Sequence, residues 1–107
     1  MAKKICVIKT SLRLNSNSDQ LADAFIQSAK ESGNDVIEIS LKDKKIAFCK
    51  GCLGCQKLGH CVIDDDANII TEKIKQADVI VWATPIYYYE MSGQMKVMID
   101  RANSLYT

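Results

Sequence analysis

The chain has 107 residues, of which 48% are hydrophobic and 25% are charged, enough apolar material for one soluble globular domain with a modest core. Fourteen basic and 13 acidic residues leave a formal charge of +1, which excludes the strongly basic surface of nucleic-acid binders. No apolar stretch approaches the ~20 residues that span a bilayer, so we expect neither nucleic-acid nor membrane partners.

The first predicted element is a strand at residues 5–8, a continuous apolar run of the kind that strands buried on both faces show. No signal peptide precedes it, because Met1, Ala2, Lys3 and Lys4 run directly into the apolar residues. The dense cysteine usage further along therefore indicates a reducing cytoplasm rather than a secreted protein with disulfides.

A loop rich in small polar residues follows at residues 10–18 and leads into a helix. Asn17 and Gln20 have the spacing of a capping box, and Gly33 suits the left-handed position past a helix end. Residues 36–41 then alternate as a half-covered edge strand does. The helix itself is predicted from near Asn17 to just before Gly33 by residues at helical spacing: Leu21, Ala24, Phe25, Ser28 and Ala29.

Four cysteines form the central motif C-x2-C-x2-C-x5-C: Cys49, Cys52, Cys55 and Cys61. Two-residue gaps let the thiolates of one loop converge on a metal ion or an iron-sulfur cluster without help from the rest of the fold. A cluster, a zinc ion and a metal-free loop are all compatible with this spacing. The acidic run 64–66 follows at once, and we expect it to cap the next helix and to interact with the helix dipole.

The second half of the chain predicts a helix, a strand and another helix. Residues 79–83 are expected to form a second buried strand that Pro85 ends, followed by an aromatic loop at residues 87–89. The two helices are indicated by apolar residues at helical spacing, one set comprising Ala67, Ile70, Ile74 and Ala77, and the other Met95, Met98, Ile99 and Ala102.

Alternating strands and helices favour an α/β fold, a doubly wound parallel sheet. For the flavodoxin-like strand order, ligands bind between strands one and three, beyond their carboxyl ends. The loop after strand one supplies hydroxyls, Arg13 and the free N–H groups of a helix start, which suit a phosphate. Pro85 and the three tyrosines after strand three offer a surface for a flat ring. A phosphate cradle beside an aromatic wall describes a site for flavin mononucleotide (FMN).

Four motifs together resemble the NAD(P)H-dependent FMN reductase superfamily, and the cysteine loop is similar to that of the iron-sulfur flavoproteins within it. Family members commonly have Gly-Ser-Pro-Arg in the first loop, where this chain has Thr10-Ser11-Leu12-Arg13 and keeps its phosphate donors. The motifs are Ser11-Leu12-Arg13 with Ser16-Asn17-Ser18, the cysteine loop with its acidic run, Ala83-Thr84-Pro85-Ile86-Tyr87, and Lys96 with Asp100-Arg101.

The resemblance implies roles for the first three motifs, carried over by position. The fourth is also explained as an i, i+4 helix pair of Lys96 and Asp100 with Arg101 as a neighbouring cation. The FMN phosphate is expected to bind Ser11, Arg13, Ser16, Asn17 and Ser18. The ribityl chain and the isoalloxazine ring are expected to pack along Pro85, Ile86, Tyr87, Tyr88 and Tyr89. If the four cysteines hold a 4Fe-4S cluster, it lies beside the ring as an electron relay.

The implied activity is that of an oxidoreductase in which NAD(P)H or another donor reduces the bound flavin, with no catalytic side chain among these residues. Two alternatives stay open. One is a non-enzymatic module that holds a cluster or zinc and acts through a partner. The other is an inactive subunit that acts only by association.

The resembled fold has two further strands, and one of the loops between them normally completes the flavin pocket. We therefore expect residues 1–107 to be a single FMN-binding domain, truncated to the first three strands and three helices of the fold. Strand three would present an open apolar edge without a proline or lysine to protect it. We expect association to cover that edge, most simply in a homodimer or higher oligomer.

Overall fold

The computed structural model describes residues 2–13 and 16–106, so Leu14 and Asn15 of the predicted phosphate loop lie outside the described residues. In chain order the elements are β1 (Lys4–Lys9), α1 (Asn17–Glu31), β2 (Asp35–Ser40), α2 (Cys55–Leu58), α3 (Asp66–Gln76), β3 (Val79–Ala83), β4 (Ile86–Tyr87), β5 (Glu90–Met91), α4 (Gly93–Arg101) and α5 (Asn103–Tyr106).

The main sheet is parallel and has the strand order β2-β1-β3, with β1 in the centre. Since successive side chains of a strand point to opposite faces, β1 contributes to two cores. Ile5 and Val7 pack with α1 on one face, whereas Cys6 and Ile8 pack with α3 and α4 on the other. Helices thus cover both faces, which confirms the predicted doubly wound α/β fold.

Helix α1 begins at Asn17 as predicted, but its N-cap differs from the prediction by one residue. Ser16, not Asn17, is the N-cap, because its backbone is extended (φ −66°, ψ 163°) and its Oγ accepts a hydrogen bond from the Asp19 N–H at 3.2 Å. Asn17 is the first helical residue, so the predicted capping box with Gln20 is wrong. At the other end, Gly33 has the positive φ of 87° that the sequence predicts there.

The exposure of β3 also differs from the prediction. Residues 79–83 form the expected strand, but Val79 and Ile80 are 36% and 40% exposed, although the sequence predicts a buried strand. Among the described residues β3 has a strand neighbour only on its β1 side, which leaves its outer edge open. None of the described helices is long and apolar enough to cross a membrane.

Three short features were not predicted as regular structure. The aromatic segment after β3 is an antiparallel hairpin of β4 and β5 rather than an irregular loop. A single helical turn, α2, lies inside the cysteine loop, and α5 follows α4. The structure therefore adds two four-residue helices and a hairpin to the three predicted helices and three predicted strands.

Candidate functional site

Buried hydroxyl groups join the carboxyl ends of β1 and β3 to the start of α4. Thr10, directly after β1, donates from Oγ1 to the Ala83 carbonyl at 2.8 Å. Ser92, the N-cap of α4, donates from Oγ to Thr10 Oγ1 at 3.3 Å, and its N–H donates to Thr84 Oγ1 at 3.0 Å. Thr10 and Ser92 are fully buried, so these bonds fix the two loops that follow the strands relative to each other.

The hydroxyls of Thr10, Thr84 and Ser92 have a structural role that the sequence patterns do not predict. A signal was present, since two threonines follow directly on the two strands and Ser92 precedes the Met95–Met98 stripe as an N-cap does. Their contacts across 82 positions of the chain become visible only in the folded molecule.

The predicted phosphate residues lie in the segment that joins β1 to α1 and in the first turn of α1. Ser11 and Ser16 are buried, whereas Arg13 and Asn17 are exposed. Ser11 Oγ accepts from the Arg13 N–H at 3.2 Å, and Ser16 Oγ lies 3.2 Å from Ser18 Oγ. The first N–H groups of α1, those of Asn17 and Ser18, have no acceptor within the helix. Hydroxyls, N–H groups and a guanidinium form a donor set that fits a phosphate group.

The predicted aromatic residues form the hairpin after β3. Tyr87 pairs with Glu90, and Tyr88 and Tyr89 form the two-residue turn with φ of 48° and 65°. Positive φ at both central positions is the hallmark of a type I′ turn, which favours Asn-Gly and strains larger residues. The two tyrosines are 93% and 92% exposed, and their rings meet edge to face with centroids 5.7 Å apart. The hairpin therefore presents aromatic surface to solvent at the cost of backbone strain.

The four cysteines of the central motif line a single cavity, together with Arg101 and residues of α5. All are free thiols; Cys55 is buried, Cys61 is partly buried, and Cys49 and Cys52 are exposed. Within residues 2–13 and 16–106, no three His, Cys, Asp or Glu side chains are placed to hold a metal ion. The thiols thus share one cavity, in a donor set that fits iron-sulfur or zinc chemistry, without converging on one ion position.

Close approach of the two sides of the cysteine loop depends on Gly54, which precedes α2. A Cβ at this position would lie 2.6 Å from Val62 Cγ1 and 3.7 Å from Cys52 Sγ. Only glycine leaves room for this contact without a shift of the loop. Gly54 therefore permits the loop to fold back so that Cys61 shares a cavity with the first three cysteines.

Arg101, at the end of α4, differs most from its predicted role. The sequence suggested only a cation next to an exposed Lys96–Asp100 pair, and that pair is present. Arg101 itself is 1% exposed and makes a bidentate ion pair with Asp65, with both N–O distances 2.7 Å. Asp65 also caps α3, as expected, through the Ala67 N–H at 3.1 Å.

The surroundings of Asp65 and Arg101 favour the charged form of each side chain. Burial by itself would raise the pKa of Asp65, but hydrogen bonds from Arg101 and from two backbone N–H groups outweigh it and hold the pKa below its ordinary value. The pKa of Arg101 is raised, first by its hydrogen bond to Asp65 and further by the neighbouring Cys61. In contrast, burial raises the pKa of the Cys6 thiol, which lies in the core away from the motif, as predicted.

Known flavoproteins are similar to this chain over most of its length. Residues 3–106 match the model of the NADPH-dependent FMN reductase family. An iron-sulfur flavoprotein of Methanosarcina thermophila is 35% identical over 99 residues, which are 92% of this chain and 52% of that protein. One from Archaeoglobus fulgidus is 34% identical over 91 residues, which are 85% of this chain and 41% of the relative.

The fold has solved counterparts. The NAD(P)H:quinone oxidoreductase from Methanothermobacter marburgensis superimposes with a TM-score of 0.77 at 15% identity, over 95% of this chain and 53% of that one. The chain spans about half the length of the curated relatives it matches. The flavodoxin-like architecture and the superfamily resemblance inferred from the sequence are both confirmed. A family model that matches almost the whole chain shows that it belongs to the NADPH-dependent FMN reductase family.

Proposed function

We propose that this chain is the FMN-binding part of an oxidoreductase that passes electrons from NAD(P)H or another donor, through flavin, to an acceptor. The observation that carries the proposal is the hydroxyl network of Thr10, Thr84 and Ser92, which holds the phosphate-type loop and the tyrosine hairpin at the same edge of the sheet. In open α/β sheets this edge, at the switch in strand order, is where nucleotides bind.

At the phosphate end, the proposed ligands are Ser11, Arg13, Ser16, Asn17 and Ser18. Ser16 Oγ accepts a bond from the Asp19 N–H and is hydrogen-bonded to Ser18 Oγ, so one of these two hydroxyls keeps a proton to donate to a phosphate oxygen. The positive end of the α1 dipole favours a dianion at this position. Arg13 is exposed beside the loop and adds a guanidinium, which binds phosphate with two parallel hydrogen bonds.

At the ring end, Pro85, Ile86, Tyr87, Tyr88 and Tyr89 would line the ribityl chain and the isoalloxazine ring. All but Pro85 are exposed, so a flat ring can cover apolar and aromatic surface that now faces water. When bound, FMN supplies the hydride and electron-transfer chemistry. The protein residues bind and orient it, and no side chain of this edge is assigned as an acid, base or nucleophile.

We further propose that Cys49, Cys52, Cys55 and Cys61 hold an iron-sulfur cluster, the 4Fe-4S type being one of those that four thiolates ligate. Support comes from the shared cavity and from two relatives that are iron-sulfur flavoproteins. The alternative is a zinc or metal-free loop. Metal and sulfide analysis of protein handled without oxygen distinguishes a cluster, a zinc ion and a metal-free loop, because only a cluster contains both iron and acid-labile sulfide.

We infer that two or more copies associate through the outer edge of β3. Val79 and Ile80 are partly exposed there, and Leu21 and Phe25 of α1 line a groove with Val81 and Trp82 beside them. Such an edge pairs readily with another strand unless something covers it. We also place the protein in the cytoplasm, where five free thiols are maintained by the reducing environment.

Fluorescence titration of FMN into the metal-free protein tests the proposed function. We expect Arg13→Ala combined with Ser16→Ala to weaken binding by about 2 to 4 kcal/mol, because each hydrogen bond to a charged group contributes about 1.5 to 3 kcal/mol. Ser16→Ala also removes an N-cap, so the Arg13→Ala single variant reports on binding without that loss.

The matched control is Ser28→Ala with Lys30→Ala, which likewise removes one hydroxyl and one cation, here from the exposed side of α1 at its opposite end. We expect its FMN affinity to equal that of the wild type. Equal affinity of the Arg13→Ala, Ser16→Ala protein and the wild type would remove this loop from the site, and no binding by the wild type would refute the proposed function.

A further inference from the structure

Arg101 connects the two ends of the cysteine loop. Besides the bidentate pair with Asp65, its Nη1 donates to the Ala47 carbonyl at 2.9 Å and its Nη2 donates to the Ile63 carbonyl at 3.1 Å. Ala47 precedes the first cysteine of the motif, and Ile63 and Asp65 follow the last. Asp65 strengthens the same junction by accepting the Ala47 N–H at 2.9 Å. A single guanidinium thus closes the loop at its base.

One donor of Arg101 is left over. Its Nε–H is buried and has no hydrogen-bond partner among the described residues. Arg101 is also one of the residues that line the cavity of the four cysteines, and Cys61 is close enough to contribute to its raised pKa after Asp65. Leaving a buried donor unpaired is costly, so an unpaired donor in a native fold calls for an acceptor that occupies the site in use.

We propose that Arg101 is a positioning residue of the cysteine site, which holds both ends of the loop and donates its remaining N–H to a sulfur atom of the group that the cysteines bind. This inference rests on the proposed thiolate-held cluster. Sulfur atoms of such clusters accept N–H hydrogen bonds, and these bonds raise the reduction potential because they stabilise the more negative reduced state. Since Asp65 neutralises Arg101 overall, the effect comes from the local N–H group rather than from net charge.

Three variants separate the two roles of Arg101. Arg101→Lys keeps the cation but lacks the planar fork that reaches Asp65, Ala47 and Ile63 together. Arg101→Met combined with Asp65→Asn removes both buried charges, so that no carboxylate is left unpaired, and Asn can still cap α3. Lys96→Met is the matched control, because it removes a cation from the exposed face of the same helix.

Hydrogen exchange of the protein without metal measures the positioning role. We expect segment 47–63 to exchange at least tenfold faster in Arg101→Lys and in the double variant, with β1 and β3 unchanged and the control equal to the wild type. Unchanged exchange of segment 47–63 in both variants would overturn the positioning role. Faster exchange in β1 and β3 of the double variant would show that the whole domain is destabilised. The exchange of segment 47–63 in Arg101→Lys would then be the test of the positioning role.

Reduction of the reconstituted protein, followed by electron paramagnetic resonance, measures the sulfur contact. We expect the equilibrium constant for one-electron reduction to be roughly tenfold smaller in Arg101→Lys and in the double variant, which corresponds to a reduction potential lower by ~59 mV. The control should have the potential of the wild type. Equal potentials in all four proteins would refute the contact. If the wild type takes up no iron and sulfide, the cluster and the contact are both refuted, while the exchange data still decide the positioning role.

Discussion

The strained turn at Tyr88 and Tyr89 makes a prediction in which stability and ligand affinity move in opposite directions. Replacing the pair by Asn-Gly, the sequence that type I′ turns prefer, removes left-handed strain of roughly 1 to 2 kcal/mol per residue. The new glycine offsets roughly 0.5 to 1 kcal/mol of this gain, because it makes the unfolded chain more flexible and so raises the entropy lost on folding. Since both side chains are more than nine-tenths exposed, no buried area is lost.

The edge-to-face contact of the two rings offsets part of the gain, by roughly 0.5 kcal/mol at the low end of its range for exposed rings. We therefore expect Tyr88→Asn with Tyr89→Gly to raise the free energy of unfolding of the ligand-free protein by about 1 kcal/mol, or about 4 to 8 °C in Tm for a domain of this size. The same variant should bind FMN at least about tenfold, or 1.4 kcal/mol, more weakly.

Urea unfolding without ligand and fluorescence titration with FMN measure the two effects. The control is Tyr88→Phe with Tyr89→Phe, which keeps both the rings and the strain and should match the wild type in each assay. A loss of stability in the Asn-Gly protein would show that the tyrosines stabilise the turn more than their conformation costs. Unchanged FMN affinity would mean that the hairpin does not touch the flavin.

Three further predictions concern other parts of the molecule. Because the pKa of Asp65 is lowered in the folded state, this carboxylate stabilises the fold above its unfolded pKa of about 3.9, and the stabilisation is lost as the pH falls below that value. The midpoint of urea unfolding should therefore fall more steeply between pH 6 and pH 2 for the wild type than for Asp65→Asn. Ile80→Lys places a charge on the open edge of β3, and this variant should sediment as a folded monomer. Wild-type protein that is already monomeric at micromolar concentration would contradict the proposed association. Anaerobic reconstitution with iron and sulfide should give a broad visible absorbance that Cys52→Ala abolishes and Cys6→Ala leaves intact, and equal spectra of the two variants would exclude the motif as ligand.

Periodicity was sufficient to predict the sheet and its helices. The apolar run at residues 5–8 is that of a central strand, and the stripes of α3 and α4 matched their buried faces. The stripe predicted for α1 is wrong apart from Ala29, because the helix buries Ala22 and Ile26 and leaves Leu21 76% exposed. Local chemistry was enough where a residue acts on its neighbours, as Asp65 does when it caps α3. It was not enough to choose between Ser16 and Asn17 as the cap, since both side chains suit that position.

The hairpin and the role of Arg101 could not be predicted for a physical reason. A Tyr-Tyr pair does not signal a type I′ turn, because the conformation is unfavourable for it and persists only through the surrounding fold. Arg101 looked like a surface residue beside the Lys96–Asp100 pair, and its partner Asp65 lies 36 positions away in the sequence. Contacts of this kind depend on how helices pack, which a single sequence does not specify.

Helix α4 has an anchor at each end, and the two anchors belong to different candidate sites. Ser92, its N-cap, is bonded into the hydroxyl network under the proposed flavin loops, whereas Arg101, its last residue, closes the base of the cysteine loop. A helix of 9 residues is about 13 Å long and does not stretch. The helix is thus a rigid spacer between the two candidate sites, and in the proposed function its length would set the distance between the flavin and the cluster.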